Sequence, residues 1–201
     1  MRTRRLAILA VAVLLLAGIA TARQLTDYVT EEEEDVIRDA QGINIRVPVF
    51  LKLLDNRIVA LGLRERTAKE RAQTKADIAS WEAAKKEAER FKIENAELPA
   101  KPLNPDIYLR HTTTSELLHG YMQIIDETMD NIEDAYDRKL DVRHHVSALE
   151  KFITEQLPRL MKLETKTPAE ASVLKETIRH SEGSLDDIRL ALKTLPKTEK
   201  K

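Results

Sequence analysis

The chain has 201 residues and a formal net charge of −1, with 33% charged residues but only 4% aromatic residues. So balanced a charge argues against the basic face that binding to nucleic acid or to an acidic membrane surface requires. The sequence contains no cysteine, which excludes disulfides, zinc–thiolate sites, thiolate catalysis and covalent haem attachment. We therefore predict no cofactor, no nucleic-acid partner and a fold that is held together by packing.

Residues 1–22 have the order of features that is typical of a secretory signal. A basic head precedes an unbroken apolar run and a segment of small residues: Arg2, Arg4 and Arg5, then residues 6–16, then Ala20-Thr21-Ala22. We predict cleavage after Ala22 and export to the periplasm or the exterior. Residues 6–20 are fewer than the roughly 20 that a spanning helix needs, so an uncleaved membrane anchor is the alternative and would be the chain's only membrane contact.

The sequence after the signal predicts two helices that begin and end at recognisable capping residues. Thr30 and Glu33 form a capping box, and the helix that they begin should stop at Gly42. Asn44 is expected to cap the second helix, and Gly62 is expected to end or bend it. Apolar residues recur along this second helix at three- and four-residue spacing: Val47, Phe50, Leu51, Leu54, Ile58 and Leu61.

Residues 63–92 differ from the rest because they combine high helix propensity with very little apolar surface. Alanines line one side of the predicted helix: Ala68, Ala72, Ala76, Ala79 and Ala83. We interpret this segment as a long, partly projecting helix. Pro99, Pro102 and Pro105 lie within the following segment, residues 93–111, and predict an extended connection because proline interrupts helices.

Three C-terminal helices each carry an apolar seam at heptad spacing. Thr113 with Glu116 caps the first of them, Thr167-Pro168 begins the last, and we place the break between the first two at residues 139–141. The seam residues are Leu118, Tyr121, Ile125, Thr128, Ile132 and Ala135; Val142, Val146, Leu149, Ile153, Gln156, Leu160 and Leu163; and Ala171, Leu174, Ile178, Ser181, Leu185, Ile188, Leu192 and Leu195.

These elements predict an all-α fold. Short loops between seams favour antiparallel packing, so we expect an up-and-down helical bundle of four to six helices with a long Ala-rich arm at residues 63–111. The bundle should form a single domain over residues 23–195, preceded by the signal peptide and followed by a disordered tail at residues 196–201.

Each of the three seams carries one polar residue near its middle: Thr128, Gln156 and Ser181. These residues could form a buried polar layer that sets the register of the helices. Alternatively, each could bond to the backbone of its own helix, which we favour for the threonine and the serine.

Two carboxylate–histidine pairs have the i, i+3 spacing of ligands in ferritin-like sites: Glu116 with His119, and Asp141 with His144. The heptad phase instead places four residues on the solvent side: Glu116, His119, His144 and His180. It places His145 at the boundary, where a surface position is favoured. We therefore predict no metal site. An acidic stripe on the first of the three C-terminal helices is interpreted as a solvated face: Asp126, Asp130, Glu133, Asp134 and Asp137.

Motifs that support catalysis are absent from the sequence. It contains no G-x-S-x-G elbow, no glycine-rich phosphate loop and no H-E-x-x-H motif, each of which places reactive groups by a defined local geometry. We therefore predict no catalytic residues and a protein that is not an enzyme.

The sequence around the first predicted helix resembles that of a known group of proteins. The stretches Tyr28-Val29-Thr30-Glu31-Glu32-Glu33-Glu34 and Ile37-Arg38-Asp39-Ala40-Gln41, followed by Arg46 and Arg57, resemble a group of uncharacterised exported helical proteins of Acidobacteria. The match covers about residues 28–61. It implies export and an α-helical fold, and it implies no activity, cofactor or site residue.

The expected function is binding rather than catalysis. We predict an exported binding or scaffolding protein of the cell envelope that engages an unknown protein partner, or a second copy of itself, through helices. The contact surface should include Trp81 and Phe91 of the arm and Tyr108 after the prolines. The alternative is a small-ligand or metal-binding bundle whose cavity is anchored by Thr128, Gln156 and Ser181.

Overall fold

A computed structural model describes residues 29–91 and 102–196, and its regular structure within those ranges is entirely helical. Seven helices follow one another: α1 Glu31–Asp39, α2 Ile43–Ala60, α3 Ala68–Arg90, α4 Pro105–Tyr108, α5 Thr114–Asp137, α6 Arg143–Leu160 and α7 Pro168–Thr194. The predicted signal peptide, Pro99 and the tail after residue 196 lie outside the described residues. The all-α prediction is confirmed.

No helix in the described ranges is long and apolar enough to cross a bilayer.

Most helix starts follow from local capping rules. Thr30, Thr67 and Thr113 each accept a hydrogen bond from the backbone of a glutamate three residues later, whose carboxylate bonds back to the threonine N–H. Such reciprocal bonds satisfy two amide groups that a helix end leaves unpaired. Thr167 caps α7 with Pro168 at the first helical position, as predicted.

The cap of α2 was predicted wrongly. The N-cap residue is Gly42, with a φ of 82° and no side-chain cap bond, and the helix begins at Ile43. Asn44 therefore lies inside the first turn, where its side chain is used for a contact with another helix instead. Gly62 ends the helix as predicted, with a φ of 72° that residues with a Cβ rarely adopt.

Four helices enclose the hydrophobic core: α2, α5, α6 and α7. Helix α5 packs chiefly against α2 and α7, while α6 packs chiefly against α7 and less extensively against α2. The consecutive helices α5 and α6 thus lie across the diagonal, whereas the predicted up-and-down order would make them neighbours. Every seam residue predicted on α5 is buried, and so are those predicted on α6 apart from Leu163, which is partly buried. On α7 the buried seam residues are Ser181, Leu185 and Ile188.

The connections between the helices agree with the predicted fold at one place and differ from it at another. The break between α5 and α6 falls where it was predicted, because Lys139 adopts a left-handed conformation with a φ of 63°. The extended connection predicted around the prolines is partly wrong: Asn104 caps the one-turn helix α4, with Pro105 at its first position. Proline is favourable there because its missing N–H would be unpaired in any case.

Helix α3 is the predicted Ala-rich arm. None of its residues is buried, in contrast to every helix of the bundle. The arm begins after a five-residue elbow, residues 63–67, and its N-terminal part lies beside α2 with open space between the two helices. The arm is therefore a helix that stands off the core rather than one that completes it.

Candidate partner-binding groove

The elbow between α2 and the arm is fixed by two arginines. The first, Arg64, connects α2 to α3: its Nε donates to Asp55 Oδ1 over 2.7 Å, and its two terminal nitrogens donate to the Glu70 carboxylate over 2.9 and 3.2 Å. This planar guanidinium can engage two carboxylates at once, which a lysine could not do with the same geometry.

The ionisation of this elbow follows from the same contacts. Hydrogen bonding to Arg64, aided by the Thr67 backbone, lowers the pKa of Glu70 to about 2. The Asp55 and Glu70 carboxylates in turn raise the pKa of Arg64, against an opposing effect of burial. Glu70 and Arg64 are therefore both charged at neutral pH.

The second elbow arginine, Arg66, is only 6% exposed. Its Nη1 donates to Asp106 Oδ2 over 2.8 Å and to Asn104 Oδ1 over 3.2 Å, both at the start of α4. Its Nη2 donates to the Glu70 carbonyl over 3.2 Å and to the Thr74 hydroxyl. One side chain thus holds the first turn of the arm against α4.

Because the elbow holds the arm away from the bundle, a cavity of about 600 Å³ lies between α3 and α1–α2. We call it the main lobe. Apolar and polar residues line it in similar numbers, and apolar atoms contribute most of the exposed lining surface, a combination that is typical of binding sites. The apolar lining residues are Val36, Val49, Leu53, Trp81, Pro102 and Leu103; Lys52, Asn56, Glu70, Gln73, Thr74, Asp77 and Ser80 are the polar ones.

A second cavity, of about 240 Å³, adjoins the main lobe and shares Trp81, Pro102 and Leu103 with it. We call it the aromatic lobe because Tyr108 also lines it. Glu32 of α1 and Glu82 of α3 line it as well. The main lobe and the aromatic lobe together form what we term the arm groove.

The structure brings two of the three predicted contact residues together. Trp81 and Tyr108 both line the aromatic lobe. Phe91 lines neither lobe; it is the C-cap residue of α3 and is 61% exposed. Trp81 is half-buried rather than docked in the core, and the Lys85 ammonium lies 5.6 Å from the centre of its ring.

Behind the arm groove lies a buried polar network that the sequence interpretation missed. Arg57 forms two hydrogen bonds with the Glu33 carboxylate, over 2.7 and 2.8 Å. The Tyr108 hydroxyl donates to Glu33 Oε1 over 3.1 Å and accepts from Asn56 Nδ2 over 2.9 Å. The network links α1, α2 and α4, and Asn56 also lines the main lobe.

Burial, followed by the neighbouring Glu33 carboxylate, raises the pKa of the Tyr108 hydroxyl well above its ordinary value. Tyr108 therefore remains protonated and acts as a hydrogen-bond donor. Its hydroxyl orients the ring, so one edge of the aromatic lobe is fixed by the same network that joins the short helices to the bundle.

A sequence signal for this network did exist. Glu33 was interpreted only as a capping residue, yet it shares a helix face with the apolar Ile37 and Ala40. Likewise, Arg57 falls between Leu54 and Ile58 in the apolar stripe of α2. Opposite charges at core positions of two consecutive helices indicate a buried ion pair, since an unpaired buried charge is too costly.

The polar residues of the three seams are all buried, and the hydrogen bonds described for them join none of the three to another. Thr128 Oγ1 donates to the Ile124 carbonyl over 2.6 Å, and Ser181 Oγ donates to the Thr177 carbonyl over 2.7 Å. Each hydroxyl thus bonds to its own helix. Gln156 accepts from Arg159 over 3.3 Å. None of the three lines either lobe of the arm groove.

Two histidines occupy positions that differ from the predicted ones. His180 was expected to face solvent, but it is half-buried and its Nε2 lies 2.9 Å from Asp126 Oδ1, across the α5–α7 interface. His145 was expected at the surface and is only 5% exposed, with Nε2 2.9 Å from Asn44 Oδ1. Both predictions were wrong because a polar partner on another helix compensates the cost of burying the imidazole ring.

Within the part of the chain that the structure describes, no group of three histidine, aspartate or glutamate residues converges as metal ligands would. One member of each carboxylate–histidine pair is exposed, Glu116 in the first pair and His144 in the second. The Glu116 carboxylate accepts hydrogen bonds from Thr113 in the capping box of α5.

In the comparisons with known proteins, no protein-family model, no curated protein and no solved structure matches this chain.

Proposed function

We propose that this protein is an exported, non-enzymatic binding protein of the cell envelope that holds a protein partner in the arm groove. The observation that carries the proposal is the state of α3: none of its residues is buried, yet its first turns are fixed by the Arg64 and Arg66 contacts. A rigid helix that is not needed to close the core is suited to present a surface.

Rigid presentation matters energetically. Association is opposed by the loss of conformational freedom of both partners, and a surface that is already ordered reduces that cost. Ion pairs of two arginines hold the elbow, and the buried network orients Tyr108, which lines the aromatic lobe. Both walls are therefore in place before a partner arrives.

Export is supported by the sequence rather than by the described helices. The basic head, apolar run and small-residue segment of residues 1–22 favour a secretory signal, and the absence of cysteine is compatible with any redox compartment. A non-enzymatic role is supported by the lack of catalytic sequence motifs.

Site-specific photo-crosslinking tests the proposal. The chain has no native cysteine, so Ser80→Cys places one thiol in the main lobe for attachment of a crosslinker. Ser147→Cys is the matched control, because Ser147 is exposed on α6 and lines neither lobe of the groove. We expect a discrete protein adduct from position 80 only, in the exported fraction, with a mature N terminus at Arg23.

Equal adducts from positions 80 and 147 would contradict a role for the arm groove. Recovery of the chain only in the cytoplasm, with Met1 retained, would contradict export.

A further inference from the structure

We propose that the arm groove binds an extended, basic segment of a partner polypeptide, in which lysine or arginine alternates with apolar side chains. This inference rests on the proposed function and names the chemistry of the partner.

The lining of the groove carries a surplus of negative charge. Four carboxylate residues line the two lobes, Glu70 and Asp77 in the main lobe and Glu32 and Glu82 in the aromatic lobe, against the single basic residue Lys52. Of these carboxylates, only Glu70 is paired with an elbow arginine in the contacts described above. The surplus of negative charge favours a cationic occupant.

The aromatic lobe adds chemical specificity. Trp81 and Tyr108 line it together with Glu32 and Glu82. Aromatic faces attract ammonium and guanidinium groups, and nearby carboxylates strengthen that attraction. The chain itself already places the Lys85 ammonium 5.6 Å from the centre of the Trp81 ring, so this indole accepts a cation in the folded protein.

The dimensions favour a peptide over a small cation. The lining residues of α3 extend from Glu70 to Glu82, which corresponds to about 18 Å along a helix. An extended chain covers that distance with about five or six residues. Alternating side chains of such a chain point to opposite sides, so one set can face the apolar lining while the other meets the carboxylates.

A third cavity, close to the elbow, has a mainly basic lining. It has a volume of about 270 Å³ and is lined by Arg66, Arg71 and Lys75 together with Asp106. The negative surplus therefore belongs to the two lobes of the arm groove and not to the whole arm surface, which indicates a bounded site.

The test uses the only tryptophan of the chain, Trp81, whose emission reports directly on the groove. The probe is a capped hexapeptide in which leucine and lysine alternate, titrated into the full-length protein. We expect a saturable shift of the emission that weakens at high salt. The double variant Glu32→Gln/Glu82→Gln should weaken binding roughly fivefold to tenfold, as expected for two partly exposed charge contacts.

Glu87→Gln is the matched control, since Glu87 lies on the same helix but lines neither lobe, and it should bind like the parent chain. A peptide with glutamate in place of lysine should not bind. Equal binding of both peptides, equal binding by the double variant and by Glu87→Gln, or equally tight binding of butylammonium would overturn the proposal. So would a shift with protein concentration alone, which would indicate a second copy as the occupant.

The experiments can contradict the proposed function and the proposed basic partner independently of each other. A specific adduct at Ser80→Cys without binding of the lysine peptide leaves the partner-binding function intact and contradicts the basic partner. Binding of the peptide without any adduct in the envelope contradicts the cellular role and leaves the groove chemistry intact.

Discussion

The carboxylate of Glu33 and the guanidinium of Arg57 form an ion pair with two hydrogen bonds, of 2.7 and 2.8 Å, in which the side chains are 0% and 2% exposed. The pair joins α1 to α2, and the Tyr108 hydroxyl extends it to α4. Desolvation of two charges is costly, so such a pair persists only where hydrogen bonds compensate most of that cost. Here the remaining lone pairs of Glu33 accept from the Thr30 backbone and Tyr108.

The first prediction concerns this ion pair. Arg57→Met should lower the free energy of unfolding by about 3–5 kcal/mol, because it leaves the Glu33 carboxylate buried without its main partner. Urea denaturation measures the change. Addition of Glu33→Gln to Arg57→Met should restore part of the loss, because the buried charge is then removed.

A surface ion pair provides the control for that experiment. Arg38 and Asp35 are paired on α1, with side chains that are 71% and 60% exposed. Arg38→Met should change the free energy of unfolding by no more than about 0.5 kcal/mol. If the two methionine variants lost similar stability, the buried pair would not be the determinant proposed here.

The second prediction separates stability from binding at Tyr108. Tyr108→Phe removes the donor to Glu33 and the acceptor for Asn56 but keeps the ring that lines the aromatic lobe. The free energy of unfolding should fall by about 1–3 kcal/mol. Affinity for the leucine–lysine peptide should stay within about twofold, since the ring supplies the cation–π contact. Tyr108→Leu should lose both stability and affinity.

Much of the fold could be predicted because it depends on local rules. The capping boxes at Thr30 and Thr113 and the start at Thr167-Pro168 are set by residues within three positions of one another. The seams of α5 and α6 could be predicted because the apolar spacing matches the helical repeat. Neither inference requires knowledge of how the helices are arranged.

The groove and its supports could not be predicted in the same way. Arg66 contacts Asp106, forty positions away, and Arg57 contacts Glu33, twenty-four positions away. Glu33 and Arg57 lie at core-facing positions that indicate a buried partner, whereas the exposed Asp106 carries no such signal for its contact with Arg66. The diagonal placement of α5 and α6 is likewise a property of packing among four seams, each of which fits more than one neighbour.

The third prediction concerns the acid stability of the elbow. The pKa of Glu70 is lowered to about 2 by Arg64, so its contribution to stability is present above the unfolded pKa of about 4.3 and is lost as the pH falls towards 2. Amide hydrogen exchange in the first turns of α3 should therefore stay slow at pH 4. In Arg64→Met the same amides should exchange faster, while those of α6 should not change.

The fourth prediction concerns the interface between α5 and α7. The Asp126 carboxylate, 2.9 Å from His180 Nε2, raises the pKa of His180 against an opposing effect of burial, with smaller contributions from the Met122 backbone and Glu176. A raised pKa means that the stabilisation is present below about pH 6.5 and is lost as the pH rises through the folded-state pKa. Asp126→Asn should therefore lower the unfolding free energy by about 0.5 kcal/mol at pH 5.5 and have almost no effect at pH 8.

The fifth prediction has the opposite sign and comes from His145. Burial, followed by the charge of His144, lowers the pKa of His145, whose Nε2–H donates to Asn44 Oδ1. Its stabilisation is present above the unfolded pKa of about 6.5 and is lost as the pH falls through that region. Thermal unfolding between pH 7.5 and pH 5 should show a loss that is smaller in His145→Gln and unchanged in His111→Gln, since His111 is exposed. An identical pH profile for all three chains would show that the buried imidazole does not control the stability of this helix contact.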